Sequence, residues 1–265
     1  MIAATPILFA SLGELISEKS GVLNLGVEGM MIIGAICGFA VSVETDSVYL
    51  GFLAAIFGGC LLSILFGVVT QLFLANQVAS GLALTLFGLG LAALIGHSYT
   101  GQVPPHTPKL EIPYLCDVPL IGKMFFQHDV LVYTSLLMVC FVWYVLKYTK
   151  IGLVLRAVGE NHESAHSLGY NVIKIRFIAI MIGGGLAGIG GGYLSLVRVP
   201  QWTEGMTAGS GWIALAIVVF SSWKPWRLIF GAYIFGGVTI LQLNLQAIGV
   251  NIDVALLSMT PYAVT

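Results

Sequence analysis

The sequence predicts an all-α fold: a polytopic bundle of membrane-crossing helices with one short helix held outside the bilayer. Three observations carry this. Hydrophobic residues make up 58% of the 265 residues and charged residues 9%, against about 25% charged in an ordinary soluble domain. Long stretches carry almost no charge, so that between Ser47 and Leu110 only Lys109 is charged. One polar stretch, residues 150–170, interrupts the apolar pattern and reads as an extramembrane helix.

A hydrocarbon core about 30 Å thick asks for roughly 20 apolar residues per helical span. In order along the chain, the spans read as residues 22–43, 48–74, 78–99, 130–147, 174–197, 208–223 and 227–250. Met1 to Leu12 is apolar but too short to span, and both ends read as cut from a longer chain. The N-terminus lacks the basic stretch of a secretory signal. Residues 1–265 are read as one transmembrane domain containing the segment 150–171.

Alternating the spans places Lys19, Lys147, Lys150, Arg156, Lys174, Arg176, Lys224 and Arg227 on one side, with Lys109, Lys123 and Arg198 opposite. The side richer in Lys and Arg is expected to be cytoplasmic. The polar stretch then lies inside the cell, and the loop from Thr100 to Asp129, with Pro104-Pro105, lies outside. A net charge of −1 argues against a nucleic-acid partner. Cys37, Cys60 and Cys140 fall in apolar spans and Cys116 stands alone outside, so no disulfide framework is expected.

Two polar features inside the spans call for partners. Gly21-Val-Leu-Asn24-Leu-Gly26-Val-Glu28-Gly29-Met30-Met31 opens a span with an amide and a carboxylate. A charge at a helix centre costs roughly 2.5 to 3.5 kcal/mol even on the mild insertion scale. Asn24 and Glu28 are therefore candidates for gating or for the solute pathway; the alternative is that Glu28 reaches headgroup water or pairs with Lys19. Glu204-Gly205-Met206-Thr207, followed by Gly209-Ser210-Gly211-Trp212, begins another span with the same Glu-Gly-Met triplet. The two triplets enter from opposite sides, as an inverted repeat requires. Glu204 and Trp212 join the pathway candidates, as do Gln242 and Gln246, one turn apart on one helix face. Polar helix–helix contact is the alternative for that last pair.

Gly183-Gly-Gly-Leu-Ala-Gly188-Ile-Gly190-Gly-Gly192 marks close helix packing. Its paper match to a dinucleotide fingerprint fails for want of a preceding strand in a βαβ unit. The sequence contains no G-x-x-x-x-G-K-[ST], so energy for pumping must come from elsewhere.

The polar stretch carries its own punctuation. Gly159 is expected to break the preceding segment, Asn161 to cap a helix, Glu160 and Glu163 to suit its positive end, and Gly169 to stop it. The helix so defined runs about two turns, roughly 10 to 12 Å, with Ala165 and Leu168 as a small knob for a groove. His162-Glu163-Ser-Ala-His166 matches the zinc motif H-E-x-x-H. A working metal site needs a third ligand, and the later carboxylates Glu204 and Asp253 are expected across the membrane, so no metal is assigned.

Gly152-Leu-Val-Leu-Arg156-Ala157-Val-Gly159-Glu160-Asn161, followed by Ala165 and Gly169, resembles the cytoplasmic coupling segment of permease subunits in ATP-binding cassette importers. The branch it resembles serves branched-chain amino acids, ribose-type sugars and nucleosides. The 21–31 block is similar to the N-terminal signature of nucleoside and simple-sugar members, and Thr207 to Ala216, running to Trp223-Lys-Pro225-Trp226, matches a third block. His162 and His166 depart from the Pro and Ala common in relatives.

The resemblance implies a multi-pass permease of the bacterial cytoplasmic membrane, paired with a second, related permease. It also implies an ATP-binding cassette ATPase beneath, which holds the ATP and Mg, an extracellular or periplasmic substrate-binding protein, and no cofactor in this chain. Arg156, Gly159, Glu160, Asn161, Ala165 and Gly169 are the expected coupling residues. Arg156 is a partner for a carboxylate of the ATPase or for Glu160, or else a positive-inside anchor. Neutral polar groups in the spans, among them Gln71, Asn76, Gln77 and Thr85, suit uncharged hydroxyl-bearing ligands such as nucleosides or sugars. The alternatives are a stand-alone channel or secondary transporter for small neutral solutes and, further off, a membrane zinc protease.

Overall fold

Six helices are long and apolar enough to cross a membrane in the computed structural model, which describes residues 1–111 and 127–248. The helices are α1 (Thr5–Lys19), α2 (Val27–Thr45), α3 (Val48–Gly67), α4 (Gln77–Gly96), α5 (Val130–Tyr148), α6 (Lys150–Glu160), α7 (His162–Ser167), α8 (Val172–Tyr193), α9 (Ser210–Phe220) and α10 (Pro225–Ala247). All-α architecture is therefore what forms. A short antiparallel pair, Lys109–Glu111 with Gln127–Asp129, is the strand structure of the described residues. Cys116, Lys123, Asp253 and the run from Val254 lie outside the described residues.

The bundle is built around α8. Its glycines let three helices approach without intervening side chains: Gly183 and Gly190 meet α1 at Gly13 and Pro6. Gly188 and Gly191 meet α2 at Gly34 and Met31, and Gly184 meets α3 at Gly59. A methyl group at any of these positions would overlap backbone atoms of the neighbour. Lipid supplies no hydrophobic drive between helices, so such backbone-to-backbone contact carries the association. Gly188 also meets Ala55 of α3, and Gly192 faces Gly38 of α2 as Gly188 faces Gly34, so α1 and α3 run antiparallel to α8 and α2 parallel to it.

The N-terminal run corrects the sequence reading. Met1 to Leu12 is too short to span, but the helix continues past it to Lys19 and is buried throughout most of its length. Its polar residues are accommodated locally: the Ser17 hydroxyl donates to the Gly13 carbonyl and Ser20 to that of Ser17. Glu14, 1% exposed, accepts from the Asn24 amide at 2.9 Å.

Two predicted spans also change. The stretch 22–43 begins non-helically, and α2 starts only at Val27. The predicted span 208–223 is a half-helix: α9 has 11 residues, about 16 Å at 1.5 Å per residue, half of what the hydrocarbon core requires. It ends in a turn where Ser222 and Trp223 take positive φ. Pro225 then opens α10 at a position where its missing N–H costs nothing.

The cations predicted to share a side do share one end of the bundle. Lys19, Lys147, Arg156, Lys224 and Arg227 line one pocket there, and the Arg176 side chain donates to the Ser20 carbonyl at 3.1 Å. At the far end the Tyr99 hydroxyl bonds Glu44, and Tyr193 donates to Asp129 at 3.2 Å.

At the basic end, α6 and α7 form the predicted extramembrane segment. Asn161 caps α7, its side-chain oxygen accepting the Ser164 amide at 3.0 Å. Gly169 ends the turn at φ +87°, a conformation that side chains with a Cβ disfavour. Gly159 does not break the segment: α6 continues through it to Glu160, and the break falls at Asn161. The glycine is needed for contact, since a Cβ there would strike the Lys19 carbonyl at the end of α1.

Candidate translocation site and coupling surface

Glu28 opens α2 inside the bundle, 4% exposed. Its position follows from the turn before it. The Asn24 side chain accepts the Gly26 amide at 3.0 Å and donates to Met30 sulfur at 3.3 Å, while its backbone amide is held by Glu14. This fixes an Asx-type turn that brings the chain back into the membrane and starts α2 there. Asn24 is thus fully buried in the turn and acts as a support rather than a wall of any cavity.

The carboxylate of Glu28 meets the start of α9. It accepts from the Thr207 hydroxyl at 2.6 Å, the Gly209 amide at 2.8 Å and the Gly211 amide at 2.5 Å. Those amides are among the donors a helix N-terminus leaves unsatisfied, and the positive end of the helix dipole favours the anion. The alternatives for Glu28, headgroup water or a pair with Lys19, do not hold. One side chain caps a helix contributed from more than 180 residues away, and α2 and α9 meet through it.

Beside this junction lies a recess of about 480 Å³, lined by Glu28, Thr85, Leu86, Leu89, Thr207 and Trp212 among others. Trp212 is 49% exposed and Leu86 71% exposed. The recess is therefore open on one side and offers an aromatic face, while the Thr207 hydroxyl on its wall already donates to Glu28. Thr85 already donates to the Leu25 carbonyl at 3.1 Å. A second cavity of about 640 Å³ lies toward the far end and is lined by Arg198, Thr203, Ser210, Thr239 and Gln242. Thr207 and Ala208 line both, so the loop before α9 is their common wall.

The predicted pathway residues therefore divide. Glu28 and Trp212 come together, and Gln242 faces the neighbouring cavity. Gln246 is half-buried on α10 and outside that lining. Glu204 is exposed in the loop, six residues before α9, whereas Glu28 lies within the first turn of α2. The two Glu-Gly-Met triplets consequently occupy unlike places and do not mark a repeat. Asn76 and Gln77 are also spoken for: Asn76 caps α4, and Gln77 accepts the Leu23 amide at 2.9 Å.

Among the predicted coupling residues, Gly159 touches Lys19 and Gly21 at the end of α1. Arg156 donates to the Gly152 carbonyl at 3.3 Å rather than to Glu160. Glu160 is exposed where α6 ends, Asn161 caps, and Gly169 turns. Ala165 departs from its expected role: at 2% exposure it packs inward and anchors α7, while Leu168, 76% exposed, is the projecting apolar group. His162 and His166 are exposed on α7, and among the described residues no group of three His, Cys, Asp or Glu side chains is placed to hold a metal.

Residues 1–264 match the family model described as branched-chain amino acid transport system / permease component. The chain belongs to that family. Its relatives include the putative glucose ABC transporter permease protein TsgC13 of Haloferax volcanii, 44% identical over 95% of this chain and 78% of the relative. The guanosine ABC transporter permease protein NupQ of Bacillus subtilis is 35% identical over 100% of this chain and 88% of its own. The nucleoside ABC transporter permease protein NupC of Lactococcus lactis is 33% identical over the same shares, 100% and 88%. The permease is a multi-pass membrane protein and the transport component of its system.

Three contacts of the permease escape a reading of sequence alone. Glu14 looks like an isolated acid on a short apolar run, and Thr207 like one hydroxyl among several. The contact of Gly159 with Lys19 gives no local signal. Their partners become visible only across the bundle: the Asn24 amide for Glu14, Glu28 for Thr207, and the Lys19 carbonyl for Gly159.

Proposed function

We propose that this chain is the permease subunit of an ABC importer for nucleosides or related simple sugars, driven by ATP hydrolysis on separate nucleotide-binding subunits. The observation that carries the coupling mechanism is the contact of Gly159 with the end of α1. The basic end faces the cytoplasm of a bacterial cell, following the positive-inside rule. There α7, with exposed Leu168, docks in a groove of the ATPase. Closure of the ATPase pair on ATP displaces α6 and α7 together, and Gly159 pushes on Lys19 and Gly21. The 20–26 turn is tied to α1 by Glu14 and Asn24, so the push reaches the start of α2 and, through Glu28, α9. Both helices border the recess, which changes access as they shift.

A second, related permease closes the open side of the recess, and a binding protein delivers the solute from outside. Membership of a permease family whose named relatives include glucose, guanosine and nucleoside transporters supports the solute class. The recess supports it too, since Trp212 offers a face for a base or sugar ring.

The test is uptake of labelled guanosine and glucose by cells expressing the complete transporter. Gly159→Val is expected to leave ATP hydrolysis running while uptake falls by about tenfold or more. Uptake that persists without any ATPase subunit would overturn the reading in favour of a channel or secondary transporter.

A further inference from the structure

At the basic end, between α5, α6 and α10, lies a pocket of about 490 Å³ that the transport mechanism does not use. Lys19, Lys147, Arg156, Lys224 and Arg227 line it, together with Trp143, Trp223 and Trp226. Among the described residues none of the five cations is paired with a carboxylate. Lys147 lies over the rings of Trp143 at 5.2 Å and Tyr148 at 5.1 Å. Arg156 reaches a backbone carbonyl, and Arg227 lies 3.5 Å from the Ser222 hydroxyl. The adjacent carboxylate, Glu18, is engaged by the Trp223 indole N–H. Five positive charges thus converge on one pocket, and among the described residues no carboxylate forms an ion pair with any of them.

We propose that this pocket binds the phosphate headgroup of an anionic lipid. Three observations select a lipid over a soluble anion or a protein carboxylate. The pocket is rimmed by indole rings, Trp143 and Trp226 in edge contact at 5.7 Å, and such rings favour the boundary between headgroups and hydrocarbon. It lies where α5 ends and α10 begins, and both are membrane-spanning helices. Farther along the same two helices, Leu137, Phe141, Phe230 and Ile234 are exposed, an apolar surface on which acyl chains can lie. A basic pocket between transmembrane helices, continued by apolar surface, matches a phospholipid along its whole length. The exposed apolar group suited to a protein groove, Leu168, lies at the end of α7 outside this pocket.

Each basic side chain beside an anionic headgroup strengthens binding by about fivefold. The assembled transporter, purified and placed in nanodiscs of phosphatidylcholine with or without phosphatidylglycerol, should retain phosphatidylglycerol through detergent washing, read by native mass spectrometry. The K147Q/K224Q/R227Q variant should bind it about a hundredfold more weakly. The K150Q/K174Q variant removes two charges from the same end outside the pocket and should retain it. If the triple variant does not assemble, Lys224→Gln alone should weaken binding about fivefold. Equal loss in both multiple variants would reduce the effect to general surface charge and overturn the site. Full displacement by inorganic phosphate would make the ligand a free anion, and loss of the ATPase subunit from the triple variant in phosphatidylcholine alone would make it a protein partner. Either result overturns the lipid.

Discussion

Glu28→Ala leaves the Thr207 hydroxyl and two backbone amides without their acceptor at a buried junction. Charge-assisted hydrogen bonds and buried unsatisfied donors set the scale, so the variant is expected to lose about 2 to 4 kcal/mol. Thr207→Val removes one donor and should cost about 1 kcal/mol. Thermal unfolding of the purified protein in detergent checks both, and equal small shifts would show that the junction contributes little. At this scale the sequence was informative about need but not about partner. A carboxylate in an apolar span announces that something must satisfy it, yet Thr207, Gly209 and Gly211 lie far along the chain. Gly159 is the reverse case: the residue is conspicuous, but a glycine just before Glu160 and Asn161 reads as a break, and only the approach of Lys19 makes it a contact.

The separate helices show where composition suffices and where it does not. The long spans were legible because some 20 apolar residues have one stable arrangement in lipid, a hydrogen-bonded helix across it. The shortness of α9 was not, because its residues are as apolar as those of a full span. What limits it is the turn at Ser222 and Trp223 and the inward course of the loop that carries Thr207. In α7 the cap was readable from Asn161 alone. Asn161→Ala is expected to cost about 1 kcal/mol locally, seen as faster amide exchange over 162–168 with the global melting temperature unchanged. In α8, Gly188→Leu would force α3 and α2 apart together, since Ala55 and Gly34 both meet that position. The expected result is loss of monodisperse protein on size exclusion, whereas Leu at Gly237, with open space around it, should be tolerated.

At the scale of the whole molecule, the proposed function makes the chain a moving part driven by separate subunits, and its behaviour alone should reflect that. Reconstituted by itself in liposomes, it is expected to hydrolyse no ATP and to accumulate no labelled guanosine. Co-expression with its ATPase and second permease should restore both. Concentrative uptake by the isolated chain would contradict the assembly. The membrane setting and the two ends of the bundle were readable from charge placement, because Lys and Arg report the side of a bilayer without reference to tertiary contacts. Which elements touch one another was not, since that depends on helices meeting across the bundle. The capping of α9 by Glu28 also bears on selectivity. The single acid of the recess is already spoken for by the N–H groups that would otherwise attract a phosphate ester, leaving a wall that is electrically quiet. Under the proposed import function a phosphorylated solute would gain no hold there and a cationic one would find its counter-ion occupied, leaving discrimination to ring shape and hydroxyl pattern.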